Sequence, residues 1–227
     1  MRYFLKSILG IGLFVLLLLG GLYLVRNLNR QPSVVLSDDT CQPPCWNTIQ
    51  PGVTTSDQAF TILSETDGVE LATLQENLTL GGAVRSISWL FSRPVEDTAG
   101  EIYFQDDRTA LISILTVNTL KLGDITARLG SPEQYWTAIG RGENREYVTV
   151  GLLAPTRGYQ VELVINLQDQ ASSVQIKDST RVFKVKYFAP AMLNELLARN
   201  DLIPNTAIQE ANNLPAFPGP GWLEFPR

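Results

Sequence analysis

The sequence predicts an α+β protein: an N-terminal transmembrane helix followed by two tandem helix-plus-antiparallel-sheet units. Three observations predict it. Ser7 to Val25 carries no charge and is almost wholly apolar. Beyond it, short segments with apolar residues at helical spacing give way to runs rich in β-branched and aromatic residues. That succession occurs twice, opening at Gly52 and again, about seventy residues on, at Gly123. The boundaries that follow are an anchor over 1–30, a linker with a cysteine pair over 31–45, a first α+β unit over 46–117, a second over 118–200, and a Pro-rich tail over 201–227.

The anchor comes first. About 20 apolar residues in a helix span the hydrocarbon core of a bilayer. Residues 7–25 meet that length narrowly, and Tyr3, Phe4, Leu5 and Tyr23 extend the apolar character. A cleaved signal peptide is the competing reading. Leu22-Tyr-Leu-Val-Arg26 offers no Ala-x-Ala-like site, and Asp38-Asp39-Thr40 before Cys41 does not fit a lipidated cysteine. Arg2 and Lys6 precede the run and Arg26 and Arg30 follow it, so the charge rule for orientation is nearly tied. The free amino terminus and the cysteine pair favour a single-pass cell-membrane protein with its C-terminal domain extracytoplasmic.

Cys41 and Cys45 are the two cysteines, and the chain has no histidine. A structural metal site takes about four ligands, and a thioredoxin-like pair has two residues between its cysteines. A structural disulfide is the preferred reading, with free thiols and redox catalysis as alternatives. Such a bridge would stiffen the approach to the domain rather than staple the fold, because the loop it closes is very short.

Charge excludes some partners. Residues 1–30 hold four of the eighteen Lys/Arg and none of the Asp/Glu, leaving 14 basic against 23 acidic residues, a net of −9. Nucleic-acid binders usually show a basic face, so no nucleic acid is expected.

In the first unit, Pro51-Gly52 marks a turn. Thr55 followed by Gln58 fits a capping box, and Ala59, Phe60, Ile62 and Leu63 supply an apolar face. The prediction is a helix over about 55–65. Strands follow over 83–92, 101–105 and 109–117, with Asp106-Asp107 as the hairpin turn between the last two. In the second unit, Ile125 and Leu129 share a helix face that Gly130 and Pro132 terminate. Strands are expected over 134–139, 147–153, 160–167 and 181–187. The third alternates, with Val161, Leu163, Ile165 and Leu167 on one side and Gln160, Glu162 and Asn166 on the other. That pattern predicts a core face and a wet face. Pro190 opens a last helix whose stripe of Met192, Leu193, Leu196 and Leu197 packs on the sheet. The tail holds five prolines with Phe217, Trp222 and Phe225, and part of it is expected to lie along the domain as a strap.

Leu122-Gly123-Asp124-Ile125 through Leu129-Gly130-Ser131-Pro132 resembles the signature of the SmpA/OmlA-like small envelope lipoproteins. The same unit occurs doubled in β-lactamase-inhibitor-like proteins. The first unit matches at Ile49, Pro51-Gly52 and Thr54-Thr55 but lacks the closing Leu-Gly-x-Pro. Pro44-Cys45-Trp46 to Thr55 also resembles membrane-anchored bacterial envelope proteins. The resemblance implies protein binding through the wet face of the sheet.

The search for chemistry returns little. Without histidine, Ser-His-Asp and Cys-His arrangements are excluded, and no Ser-x-x-Lys is present. Gly140-Arg-Gly142-Glu-Asn144 lacks the Lys-Ser/Thr ending of a phosphate loop and reads as a hairpin turn. The expectation is therefore a non-enzymatic, membrane-anchored interaction domain with no cofactor and no metal. It attaches to the membrane through residues 7–25 and binds a protein partner of unknown identity. A carrier or sensor of small ligands or cell-wall fragments, and a structural envelope spacer, are the alternatives. Trp89, Tyr103, Trp136 and Tyr147 lie on predicted strands and are the candidate partner-binding residues, since aromatics dominate interface hot spots. The competing reading places most of them in the core.

Overall fold

The computed structural model describes residues 36, 41–92, 98–116, 120–142, 145–167, 171–202 and 214–225. The fold is that of the compact unit Ser37–Arg227. It corrects the expected α+β class. The described residues form mostly antiparallel sheet, with three short α-helices: α1 (Ser56–Glu65), α2 (Leu122–Leu129) and α3 (Leu193–Ala198). No helix among the described residues is long and apolar enough to cross a membrane. The run 7–25 lies outside the described residues.

The two halves are also not separate sheets. The strands are β1 (Gln75–Leu78), β2 (Val84–Leu90), β3 (Ala99–Gln105), β4 (Arg108–Leu115), β5 (Gln134–Arg141), β6 (Glu146–Ala154), β7 (Tyr159–Asn166), β8 (Ser173–Ile176), β9 (Lys184–Phe188) and β10 (Gly221–Glu224). Eight of them make one sheet in the order β1-β2-β3-β4-β9-β7-β6-β5. Each half runs from its outer edge inward in chain order, and β4 pairs antiparallel with β9 at the centre. An isolated half would expose its inner edge, and joining the two edges satisfies both. β8 leaves the main sheet and pairs with β10.

Local signals placed most of these elements. Thr55 caps α1 in a capping box with Gln58. Asp106 and Asp107, at φ 48° and 59°, make the β3–β4 turn. Asp107 does more than solvate that turn, because it accepts a hydrogen bond from Ser56 Oγ at 2.5 Å. Gly130 ends α2 at φ 87°. The Cys41–Cys45 disulfide is formed, with the Cα atoms 5.3 Å apart, and the Sγ of Cys41 accepts the Thr48 amide.

One face of the sheet carries the main core. Ile87, Ile102, Ile112, Ile114, Val148, Val150, Val161, Leu163 and Val185 are all fully buried there. Ala59 and Leu63 of α1, and Leu122, Ile125 and Leu129 of α2, are buried too. Trp46, which precedes the first strand by nearly thirty residues, enters this core. It stacks on Trp89 with centroids 5.5 Å apart, and Phe91 meets both rings edge-on.

Candidate functional site

The other face of the sheet is the candidate site, because its two halves are treated differently. Residues directly opposite each other in an antiparallel ladder share a face. The register therefore builds a polar rung of Gln75, Ser88, Glu101, Ser113, Lys186 and Gln160 across six strands. Beside it runs a rung of Leu90, Ala99, Leu115, Lys184, Glu162, Gly151 and Trp136.

Over the second half this face is covered at Gln160 and Glu162, which corrects the wet face expected from β7 there, while Asn166 stays exposed as expected. Gln160 is fully buried and Glu162 is 8% exposed. Leu196, Leu197, Leu202 and Leu214 pack with Leu111, Trp136, Leu153 and Phe188 in a second apolar cluster above the sheet. α3 is amphipathic, and the stripe expected from Met192, Leu193, Leu196 and Leu197 does face the sheet.

Covering a polar rung requires its groups to find partners. Lys186 Nζ lies 2.6 Å from Glu162 Oε1 and donates to the Asp201 carbonyl at 2.8 Å. Gln160 Nε2 donates to Glu162 Oε1 at 3.1 Å and to the Leu202 carbonyl at 2.9 Å. At the rim, Arg199 meets Asp201 at 3.0 Å and donates to Gln105 Oε1. Burial lowers the Lys186 pKa, while the Glu162 carboxylate opposes that shift. The polar network thus holds the chain around 199–202 down onto the sheet.

Over the first half the same face is open among the described residues. A groove of about 510 Å³ runs over β1 to β4, floored by Gln75, Ser88, Glu101 and Ser113 and walled by Leu90, Leu115 and Lys184. Tyr103 stands at the boundary of the two halves, half-buried, and its hydroxyl donates to Glu101 Oε2 at 2.5 Å. Burial and that carboxylate raise its pKa above the usual tyrosine value. Among the described residues the groove's ionisable groups are Glu101 and Lys184. Among the described residues no group of three or more His, Cys, Asp or Glu is arranged to hold a metal.

The four candidate aromatics do not form one patch. Trp89 is 2% exposed and lies on the core face over Gly100, its partner across β2–β3. Trp136, also 2% exposed, lies on the opposite face over Gly151 beneath the second cluster. Both glycines are required by these rings: a Cβ on either would sit 2.0 Å from an indole atom. Tyr147 shares the Trp136 face, half-buried over Gly140 near the β5–β6 turn. Tyr103 and Tyr147 therefore reach solvent on the candidate face, while the two tryptophans support the sheet from buried positions.

The residues that sequence reading missed are the polar ones. Ser88, Glu101 and Ser113 fall singly on three strands, and only the register aligns them. β1 was missed for a related reason: all four of its residues are exposed, so it carries no alternation of apolar and polar side chains. Comparison of the chain with family models, with curated proteins and with solved structures returned no match.

Proposed function

We propose that the chain is a non-catalytic protein-interaction domain held at the extracytoplasmic face of a membrane, and that its contact surface is the open half of the second sheet face. The observation that carries this reading is the groove beside β1, which no described residue covers, whereas α3 and the residues after it cover part of the other half of the same face. The disulfide supports an oxidising compartment, and the apolar run 7–25 supports attachment to a membrane. The resemblance of residues 122–132 to SmpA/OmlA-like and inhibitor-like envelope proteins agrees with a binding role. Tyr103, on β3 of that half, is the candidate aromatic contact, whereas Tyr147 lies on β6 in the other half.

A photo-crosslinking side chain at Leu115, in the groove, tests the reading in intact cells, with exposed Lys177 as the control position. Capture of the same partner from Leu115 and not from Lys177 is the expected result. Equal capture from both positions, or none from either, would sink it. The mixed polar and apolar lining of the groove favours a small polar ligand as the second reading. Thermal stabilisation of the purified chain by a small molecule, abolished by Ser113→Trp, would move the conclusion there.

A further inference from the structure

We propose that the interaction surface extends to the free edge of β1, and that its partner is an extended segment alternating basic and apolar residues, added to the sheet as a further strand. The proposal rests on the interaction reading above and names its geometry and chemistry.

Among the described residues the sheet ends at β1 on one side and at β5 on the other. The molecule shows how the β5 edge is treated. Residues 215–217 run antiparallel to it: the Tyr135 amide donates to the Pro215 carbonyl at 3.0 Å, and the Phe217 amide donates to the Glu133 carbonyl at 2.9 Å. Ala216 bridges Gln134 between them. An extended apolar stretch of the chain itself therefore pairs with the start of that edge. β1 is the corresponding edge of the first half, and its four residues are exposed. A strand edge offers a row of backbone donors and acceptors ready to pair, and adding a strand there is a recurrent mode of peptide recognition.

Charge selects the kind of strand. Residues 41–116 hold ten Asp/Glu and three Lys/Arg, a net of −7, whereas residues 117–200 hold eight and ten, a net of +2. Asp67, Glu70 and Glu76, all exposed, lie on or close to β1. The apolar side chains nearby point to the other half of the pattern. Leu71 and Leu78 are each 59% exposed and Leu90 is 47% exposed. Alternation puts successive side chains of an added strand on opposite faces, one set beside the mouth of the groove at Gln75 and Ser88. Two β1 edges from two copies would bring like charges together, which disfavours self-pairing.

The test uses the full-length chain and two blocked heptapeptides, one alternating Lys with Val and one alternating Glu with Val. The expected result is slowed hydrogen exchange of β1 amides with the Lys/Val peptide only. Binding should weaken with salt and fall about tenfold in Glu70→Lys/Glu76→Lys; both positions are exposed, so the fold is retained. Unchanged β1 exchange, or equal binding of the Glu/Val peptide, would overturn the proposal. So would β1 protection that appears on concentrating the chain alone, which would assign the edge to a second copy. If Leu115 still captures a partner in cells while the peptide leaves β1 untouched, only this inference fails. If neither occurs, the interaction reading fails with it.

Discussion

Replacing Lys186 by methionine should expose the cost of the covered half of the sheet. Lys186 and Glu162 are 2.6 Å apart and both side chains are 11% exposed. At that separation an effective dielectric constant of about 20 gives a gross attraction of ~6 kcal/mol. Desolvation of the two charges offsets most of this, so the pair itself contributes little net stability. Removing one member is different, because it strands the other. In Lys186→Met, Glu162 keeps the Gln160 amide but loses its cation, and the Asp201 carbonyl loses its donor. Breaking a buried pair this way costs ~3–5 kcal/mol, and the retained amide places Lys186→Met at the lower end. With a urea m-value of about 2 kcal/mol/M, the unfolding midpoint should drop by about 1.5 M. The double variant Lys186→Met/Glu162→Leu should recover to within about 1 kcal/mol of the parent, since no charge is left unpaired. Hydrogen exchange should show the amides of Arg199, Asn200 and Asp201, which bond within the α3 turn, opening in the single variant. A single variant that loses under about 1 kcal/mol would refute the reasoning, as would a double variant whose loss equals the sum of the two singles.

Three further outcomes are expected. Gly100→Ala and Gly151→Ala should each lose about 1–3 kcal/mol by overpacking against Trp89 and Trp136, read by chemical denaturation; wild-type stability in either would mean that the indoles move freely. Stability should fall as the pH rises above about 10, because burial raises the pKa of Tyr159 and burial with Glu101 raises that of Tyr103. The unfolded chain then ionises tyrosines that the folded chain keeps neutral; Lys186, lowered by burial below its usual 10.5, works in the opposite sense in the window beneath that value. Tyr159→Phe should flatten the alkaline fall, and a thermal-melt series across pH 8–11 that is identical in parent and variant would contradict this. Reducing the Cys41–Cys45 bridge should cost only about 2 kcal/mol, because the closed loop is short; unfolding of the domain by reductant alone would show that the bridge holds more than its own segment.

The sequence by itself determined the elements whose causes are local. The α1 capping box, the Asp106-Asp107 turn and Gly130 as a helix stop all act within a few residues. Each appears where the residues place it. The strap character of the tail was legible in part from its aromatics: Phe225 is buried, but Trp222, expected to gain by burial on the same ground, stays exposed at 67%. Long-range pairing decided the rest. That β4 meets β9, making one sheet of two halves, depends on which edges are left free after each hairpin folds. That Gln160 and Glu162 are buried depends on α3 and the residues after it, some forty positions away, returning to supply Asp201 and Leu202 carbonyls. Trp89 and Trp136 look alike as aromatics on strands, yet the register sets them on opposite faces, each over a glycine contributed by the neighbouring strand. The groove belongs to this second class, since Ser88, Glu101 and Ser113 become one surface only when three strands align. Side-chain chemistry and periodicity act over one turn of helix or a few strand residues, whereas a surface that can bind is assembled from groups that only the folded chain brings side by side.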